Sequence, residues 1–158
     1  MENNKKISLS MIFGIISAAL ILISPFIRFA TYSHSGHRVF DYNFFKFCDR
    51  ASYIEVMWRG LPYGIVIAGV IMLILSFINI PLLKLFPCAL LIAVLTILVY
   101  TIYKTGKSVF EYLTNNMSIT FSENISISDC IGPGIYLMVL GLFVGIVSCF
   151  FKASRSDY

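Results

Sequence analysis

Residues 61–103 decide the architecture of this chain: they read LPYGIVIAGVIMLILSFINI, then PLLK, then LFPCALLIAVLTILVYTIY. The two long parts, 61–80 and 85–103, contain no charged residue. Each is close to the roughly 20 apolar residues that cross a hydrocarbon core of about 30 Å as a helix. The short link between them contains Pro81 and Lys84 and forms a tight turn. This stretch therefore predicts two membrane-spanning helices joined as an antiparallel hairpin.

Two further uncharged stretches of similar length, 7–27 and 131–151, lie on either side of this hairpin. Of the 158 residues, 58% are hydrophobic and 13% are charged, whereas soluble domains have about 25% charged residues. A chain this short cannot bury so much apolar surface in one aqueous core. The composition excludes a soluble enzyme and a nucleic-acid-binding protein. We predict an all-α integral membrane protein, a single domain (1–158) that forms an antiparallel bundle of four transmembrane helices in the lipid bilayer.

The distribution of cations predicts the orientation. With four spans, both termini lie on one side of the membrane. The short segments on that side hold five cations, whereas seven are spread over two long loops, 28–60 and 104–130. Cations in short segments near the helix ends mark the cytoplasmic side. We expect cytoplasmic termini, in a plasma membrane or a bacterial inner membrane, and both long loops outside.

The first outer loop, 28–60, is dense in aromatic rings, and its apolar residues recur at helical spacing. This spacing predicts an amphipathic helix over 41–58 that begins at Asp41 and lies at the membrane interface. A strand over 39–47 is the alternative, since rings in that stretch also alternate. The rings form either an aromatic belt at the lipid headgroups or a docking surface for a partner protein. In the second case the candidate partner-binding residues are Phe40, Phe44, Phe47, Ile54 and Trp58.

The second outer loop, 104–130, alternates polar and apolar residues over 118–128, a pattern typical of a half-buried strand or short β-hairpin. We expect the two loops to form one small outer cap. Cys48 and Cys130 lie in these loops, on the side of the membrane where a disulfide persists. They are the candidate disulfide, and two buried thiols are the alternative. Cys88 and Cys149 lie near the inner face, where we expect thiols that pack as small apolar side chains.

Small residues recur at a spacing of four in the spans. Gly141 and Gly145 form a GxxxG motif in the fourth span, and Gly64 and Ala68 form a similar pair in the second. In lipid, such faces let helix backbones approach closely. We expect these residues to pack helices within the bundle. The alternative is a groove for a partner helix or for a second copy of the chain in a homo-oligomer.

The sequence offers little chemistry. It has no GxSxG, HExxH or glycine-rich phosphate loop, and the four spans hold no Asp, Glu, Lys, Arg or His. His34 and His37 share a loop without a third nearby ligand, which argues against a zinc site. No CxxC pair is present either. We expect no catalytic residue, no cofactor and no metal.

The overall plan, with short inner termini, a longer first outer loop and outer cysteines, resembles that of claudin-like and other tetraspan proteins. The claudin signature, Gly-Leu-Trp followed by two closely spaced cysteines, is absent, because this loop has a single cysteine followed later by Trp58-Arg59-Gly60-Leu61. No functional residue is therefore carried over. The Lys/Asn/Ile/Ser-rich style is similar to that of small bacterial inner-membrane proteins, including immunity proteins against membrane-active toxins.

These observations favour a non-enzymatic multi-pass membrane protein. Its outer loops and small-residue helix faces would bind another membrane or exported protein. One alternative is an immunity protein against a pore-forming or membrane-active toxin. The other is a membrane thiol–disulfide oxidoreductase that uses Cys48 and Cys130 as a redox pair.

Overall fold

The computed structural model describes residues 8–34, 37–78, 80–115 and 130–151, with side-chain surroundings for these residues except 32–34, 37–39, 114 and 115. In this part of the chain, five α-helices and a two-stranded sheet follow one another. Four helical segments are long and apolar enough to cross a membrane, so the four predicted spans are confirmed as helices. The elements are α1 (Leu9–Ile23), β1 (Arg28–His34), β2 (His37–Asn43), α2 (Phe44–Ala51), α3 (Leu61–Ile78), α4 (Leu85–Asn115) and α5 (Pro133–Phe150).

Helix ends follow local chemistry. Ser8 caps α1, because its hydroxyl accepts a hydrogen bond from the Met11 N–H at 3.2 Å. The α-helical part of α1 stops at Ile23 and gives way to a 3-10 turn containing Pro25, whose ring and missing N–H disfavour a longer helix. Proline also opens α5, in the first turn, where a missing N–H costs little.

One helix is much longer than the sequence predicts. The expected third span ends at residue 103, but α4 continues to Asn115, for a length of about 46 Å at 1.5 Å per residue. The added turns carry the charged residues Lys104, Lys107 and Glu111, which marked the stretch as a loop in the sequence. Their opposite face is buried, because Val109, Phe110 and Leu113 pack into the cap. The end of α4 thus forms one side of the cap.

The bundle is built around α1, which packs most extensively against α5 and α3. Helix α3 packs next against α4, while α4 and α5 contact each other less. Helices α1 and α4 begin at the same end of the bundle where α3 and α5 end, and we call this the terminal end. The opposite end, which carries the sheet and α2, is the cap end.

The cap corrects the predicted helix over 41–58. Only Phe44–Ala51 is α-helical, and Val56–Gly60 forms a separate 3-10 turn. The helix begins at Asn43 and not at Asp41, because the Asn43 side chain accepts from the Lys46 N–H at 3.0 Å. Asp41 instead lies in β2 and forms an ion pair with Arg28 of β1 at 3.1 Å. The alternative of a strand was right about β2, although that strand spans 37–43 and pairs with an unpredicted partner, 28–34.

The antiparallel hairpin is tied to the membrane bundle at its first strand. Ala30 of β1 forms an isolated β-bridge with Ile131, just before α5. The Gly132 N–H donates to the Phe29 carbonyl at 2.7 Å. A side chain at Gly132 would collide with the Arg28 carbonyl oxygen, so the close approach of the two chains requires glycine here. The hairpin predicted over 118–128 lies outside the described residues.

Exposed aromatic side chains encircle both ends of the bundle. Tyr63, Tyr103 and Tyr136 lie at the cap end of α3, α4 and α5, and Phe77, Phe86 and Phe150 lie at the terminal end of the same helices. Aromatic belts of this kind sit at the two membrane–water interfaces. About 14 to 17 residues separate the two belts along each helix, or roughly 21–26 Å, which is close to the thickness of a hydrocarbon core.

Candidate functional site

The rings predicted to contact a partner form the core of the cap. Phe40, Phe44, Phe47 and Trp58 are all buried, with Phe44 and Trp58 at 0% exposure. Phe47 meets Trp58 edge to face with ring centroids 5.3 Å apart. These four side chains are therefore not available on the surface, either to a partner protein or to the lipid headgroups. What covers them is β1, the 3-10 turn and the end of α4.

Ile54 is the one predicted partner residue that is exposed, at 40%. Its neighbours in the turn after α2 are also apolar and exposed: Tyr53 at 74%, Val56 at 76% and Met57 at 47%. We call residues 53–57 the exposed cap segment. Contiguous exposed apolar side chains outside a membrane mark interaction sites. The sequence pattern missed Tyr53, Val56 and Met57 because they fall off the helical spacing of the buried rings.

The first residue of the exposed cap segment, Tyr53, lies beyond the aromatic belt. The ring of Tyr53 lies beside that of Tyr112, with centroids 6.4 Å apart. Tyr112 lies nine residues after Tyr103 of the aromatic belt on α4, a rise of about 13 Å. Tyr53 is thus outside the hydrocarbon layer. Its exposure is not explained by contact with lipid tails.

Polar contacts hold the exposed cap segment in place. The Trp58 indole N–H donates to the Thr105 hydroxyl of α4 at 3.3 Å. Lys104 of α4 forms an ion pair with Glu55, within the segment, at 3.4 Å. The middle of the segment and the residue that follows it are therefore both attached to α4. Arg50 and Arg59 are exposed on either side of it.

Cys48 and Cys130, the candidate disulfide, are both thiols in the structure. Each is 1% exposed and belongs to the aromatic core of the cap. Burial raises the pKa of the Cys48 thiol well above its ordinary value of 9.0, because a thiolate loses its hydration there. No bond joins the two sulfur atoms in the structure, and the bridge between Cys48 and Cys130 stays a prediction. A buried thiol that resists ionisation is a poor nucleophile, which argues against the oxidoreductase alternative.

The small-residue motifs pack helices within the chain. A Cβ on Gly141 would lie 2.8 Å from Ile21 Cγ1 of α1, and one on Gly145 would lie 2.7 Å from the Ser17 hydroxyl of the same helix. Ser17 also donates to the Gly141 carbonyl at 2.7 Å. Gly64 faces Val94 of α4 in the same way, and Ala68 is wholly buried. These faces are occupied inside the bundle and are not grooves for a partner helix.

A second polar site lies at the terminal end, around Lys84. This side chain is 0% exposed. Its Nζ donates to the Ser10 carbonyl at 2.6 Å and to the Ser10 hydroxyl at 2.9 Å. The Ser10 hydroxyl in turn donates to the Ser148 carbonyl at 2.9 Å, near the end of α5, where carbonyls lack intrahelical partners. Three hydrogen bonds thus join the α3–α4 turn, α1 and α5.

Sequence reasoning missed this role because it counted Lys84 as a solvated cation next to a span. The helices α3 and α5 both end nearby, and the negative ends of their dipoles favour a cation there. Gly14 gives the ammonium room, since a Cβ at that position would lie 2.9 Å from Lys84 Nζ. No local pattern around Lys84 could show this, because Ser10 and Gly14 are about 70 residues away in the sequence and meet it only through helix packing.

The sequence matches no protein-family model, and neither a curated protein nor a solved structure is significantly similar to it.

Proposed function

We propose that this protein is a non-enzymatic multi-pass membrane protein whose outer cap binds another membrane or exported protein. The observation that supports this function is the exposed cap segment, residues 53–57, where Tyr53 and Val56 are each about three quarters exposed and Tyr53 lies beyond the aromatic belt. The binding surface differs from the one expected from the sequence, since the rings of the cap core support the segment from inside.

The composition of the segment favours a protein as its partner. Tyrosine, methionine and arginine are enriched at the centres of protein–protein interfaces. Tyr53 and Met57 belong to the segment, and Arg50 and Arg59 flank it in the sequence. The buried Trp58 and the ion pair of Glu55 with Lys104 hold the segment in one conformation. A preformed surface loses less conformational entropy on binding. This favours recognition of a folded partner over loose hydrophobic contact.

The experiment is site-specific photo-crosslinking in intact cells, with a photoreactive phenylalanine analogue at position 53. The matched control carries the same analogue at position 46, because Lys46 is exposed on α2 and lies outside the exposed cap segment. We expect an adduct with one defined protein from position 53 and not from position 46. Tyr53→Ala combined with Val56→Ser should abolish co-purification of that protein while the variant stays in the membrane.

Other occupants of the surface give different results. Adducts with lipid alone would overturn the proposal and leave the segment as a membrane anchor. An adduct of twice the chain mass would identify a second copy of the chain as the partner, in a homo-oligomer. If the adduct contains a membrane-active toxin, the protein acts as an immunity protein, which is a specific form of the same function.

We further propose that the termini lie in the cytoplasm of a plasma membrane or bacterial inner membrane, with the cap outside. The support comes from the sequence, in which Lys5 and Lys6 precede the first span and Lys152 and Arg155 follow the last one. Lys84 contributes as well, because it adds a positive charge at the same end even though it is buried.

A further inference from the structure

Two thiols meet at the terminal end, outside both sites described above. Cys88 is in the first turns of α4 and is 3% exposed, whereas Cys149 is near the end of α5 and is partly exposed. Their side chains interact with each other. Both sulfur atoms lie against Gly145: Cys149 Sγ donates to its carbonyl at 3.3 Å, and Cys88 Sγ is 3.2 Å from the place that a Cβ of Gly145 would take.

The surroundings of the pair differ from those of an ordinary apolar core. The side chain of Lys84 is buried at the same end of the bundle. Thiol–disulfide exchange requires the attacking sulfur to reach the disulfide, so the more accessible thiol of a pair reacts first. Cys149 is also the more accessible of the two thiols. The arrangement therefore has an approachable attacking thiol and a buried second thiol in contact with it.

We propose that Cys88 and Cys149 are a site of reversible oxidation, at which a small-molecule disulfide converts the two thiols into one intramolecular disulfide bond between α4 and α5. This is independent of the proposed binding function of the cap.

The chemistry balances as two successive thiol–disulfide exchanges. The Cys149 sulfur, after losing its proton, attacks one sulfur of the small disulfide, whose S–S bond breaks and whose other half leaves as a thiol. The Cys88 sulfur then loses its proton and attacks Cys149 in this mixed disulfide. The S–S bond between Cys149 and the small molecule breaks, and the second small thiol leaves. The protein loses two electrons and two protons, and the small disulfide gains both.

The bridge would join the two membrane helices whose mutual contact is weaker than the packing of α1 with its neighbours. A covalent link that closes a long loop restricts the unfolded chain. Oxidation should therefore raise the unfolding temperature of the protein. It should also fix α4 to α5 at the terminal end.

The test treats the full-length protein, purified in detergent, with oxidised glutathione, then blocks remaining thiols with N-ethylmaleimide. We expect a species that has lost two hydrogen atoms, a cross-linked peptide containing Cys88 and Cys149, and an increased unfolding temperature that dithiothreitol reverses. Cys88→Ala should stop at the mixed disulfide on Cys149, and Cys149→Ala should give neither product.

The matched control is Cys48→Ala, which removes a buried cysteine of the cap and should leave the Cys88–Cys149 bridge unchanged. Glutathione retained on Cys149 in the unsubstituted protein, without closure to Cys88, would overturn the proposal. So would a bridge between Cys48 and Cys130 formed in preference to it. If Cys88→Ala does not fold, Cys88→Ser provides the same test with a smaller change in volume.

Discussion

At the scale of single residues, Lys84 shows how a membrane protein accommodates a buried charge. The ammonium lies at the end of the bundle, where it donates to two oxygens of Ser10. The Ser10 hydroxyl in turn donates a hydrogen bond to the Ser148 carbonyl. Buried charges are tolerated when hydrogen bonds replace their hydration. These hydrogen bonds form a polar clamp between helices, and removing them should lower the stability of the protein.

This explanation predicts an asymmetry between the two partners. Ser10→Ala should lower the free energy of unfolding by about 1–3 kcal/mol, because it removes one acceptor of a buried ammonium and the donor to Ser148. Lys84→Met should cost less, since the Ser10 hydroxyl keeps its bond to Ser148. The double variant should cost less than the sum of the single variants, because the two side chains are coupled. The measurement is unfolding in mixed micelles, and strictly additive losses would contradict the clamp.

At the scale of elements, the contact of α1 with α5 is set by residues without bulk. Gly141 and Gly145 let α5 approach α1 until Ser17 donates to a backbone carbonyl across the interface. Since lipid tails are as apolar as leucine, helices in a membrane associate through close packing and interhelical hydrogen bonds. The GxxxG motif thus stabilises one chain, and this use differs from dimerisation.

Substitution at Gly141 should therefore change stability and not oligomeric state. Gly141→Ala places a Cβ 2.8 Å from Ile21 Cγ1 and 3.2 Å from the Ile21 backbone nitrogen. We expect a loss of about 1–3 kcal/mol, typical of overpacking. Gly60→Ala is the matched control, because nothing lies within 4 Å of its Cβ position, and it should change stability little. A shift in mass by light scattering with unchanged stability would point to an interface between chains.

At the scale of the whole molecule, the membrane bundle and the cap are one continuous structure. The last third of α4 runs out of the apolar belt and packs Val109, Phe110 and Leu113 against the rings of the cap. The cap end and the terminal end must therefore lie on opposite sides of any membrane that the bundle crosses. This geometry turns the proposed orientation into a simple labelling experiment.

Lys46→Cys, on the exposed face of α2, should react with a membrane-impermeant maleimide in intact cells. Leu82→Cys, in the exposed turn between α3 and α4 at the terminal end, should react only after the cells are permeabilised. The native Cys48, Cys88 and Cys130 are buried and should label slowly in either case. The reverse pattern would place the termini outside and the cap in the cytoplasm.

The sequence by itself determined where the helices of the membrane bundle lie. Hydropathy is a local property, and the uncharged stretches 61–80 and 131–151 contain α3 and α5 with ends displaced by only about half a turn. It also identified the small residues that pack helices within the bundle, whereas the burial of the rings in the first loop was not predicted. Hydropathy measures how much apolar surface a segment must bury, and this is a property of the segment alone.

Only the tertiary structure decided which elements each segment packs against. The spacing from Phe40 to Trp58 suits one long helix. In the structure, however, Asp41 lies in a strand, where it forms an ion pair with Arg28, and the helix begins only after its N-cap residue Asn43. Likewise, Lys84 is buried by Ser10, far away in the sequence, and the charged face of α4 is balanced by an apolar face in the cap. Periodicity fixes the face of an element that turns inward, whereas its partner depends on contacts between distant residues that no local pattern contains.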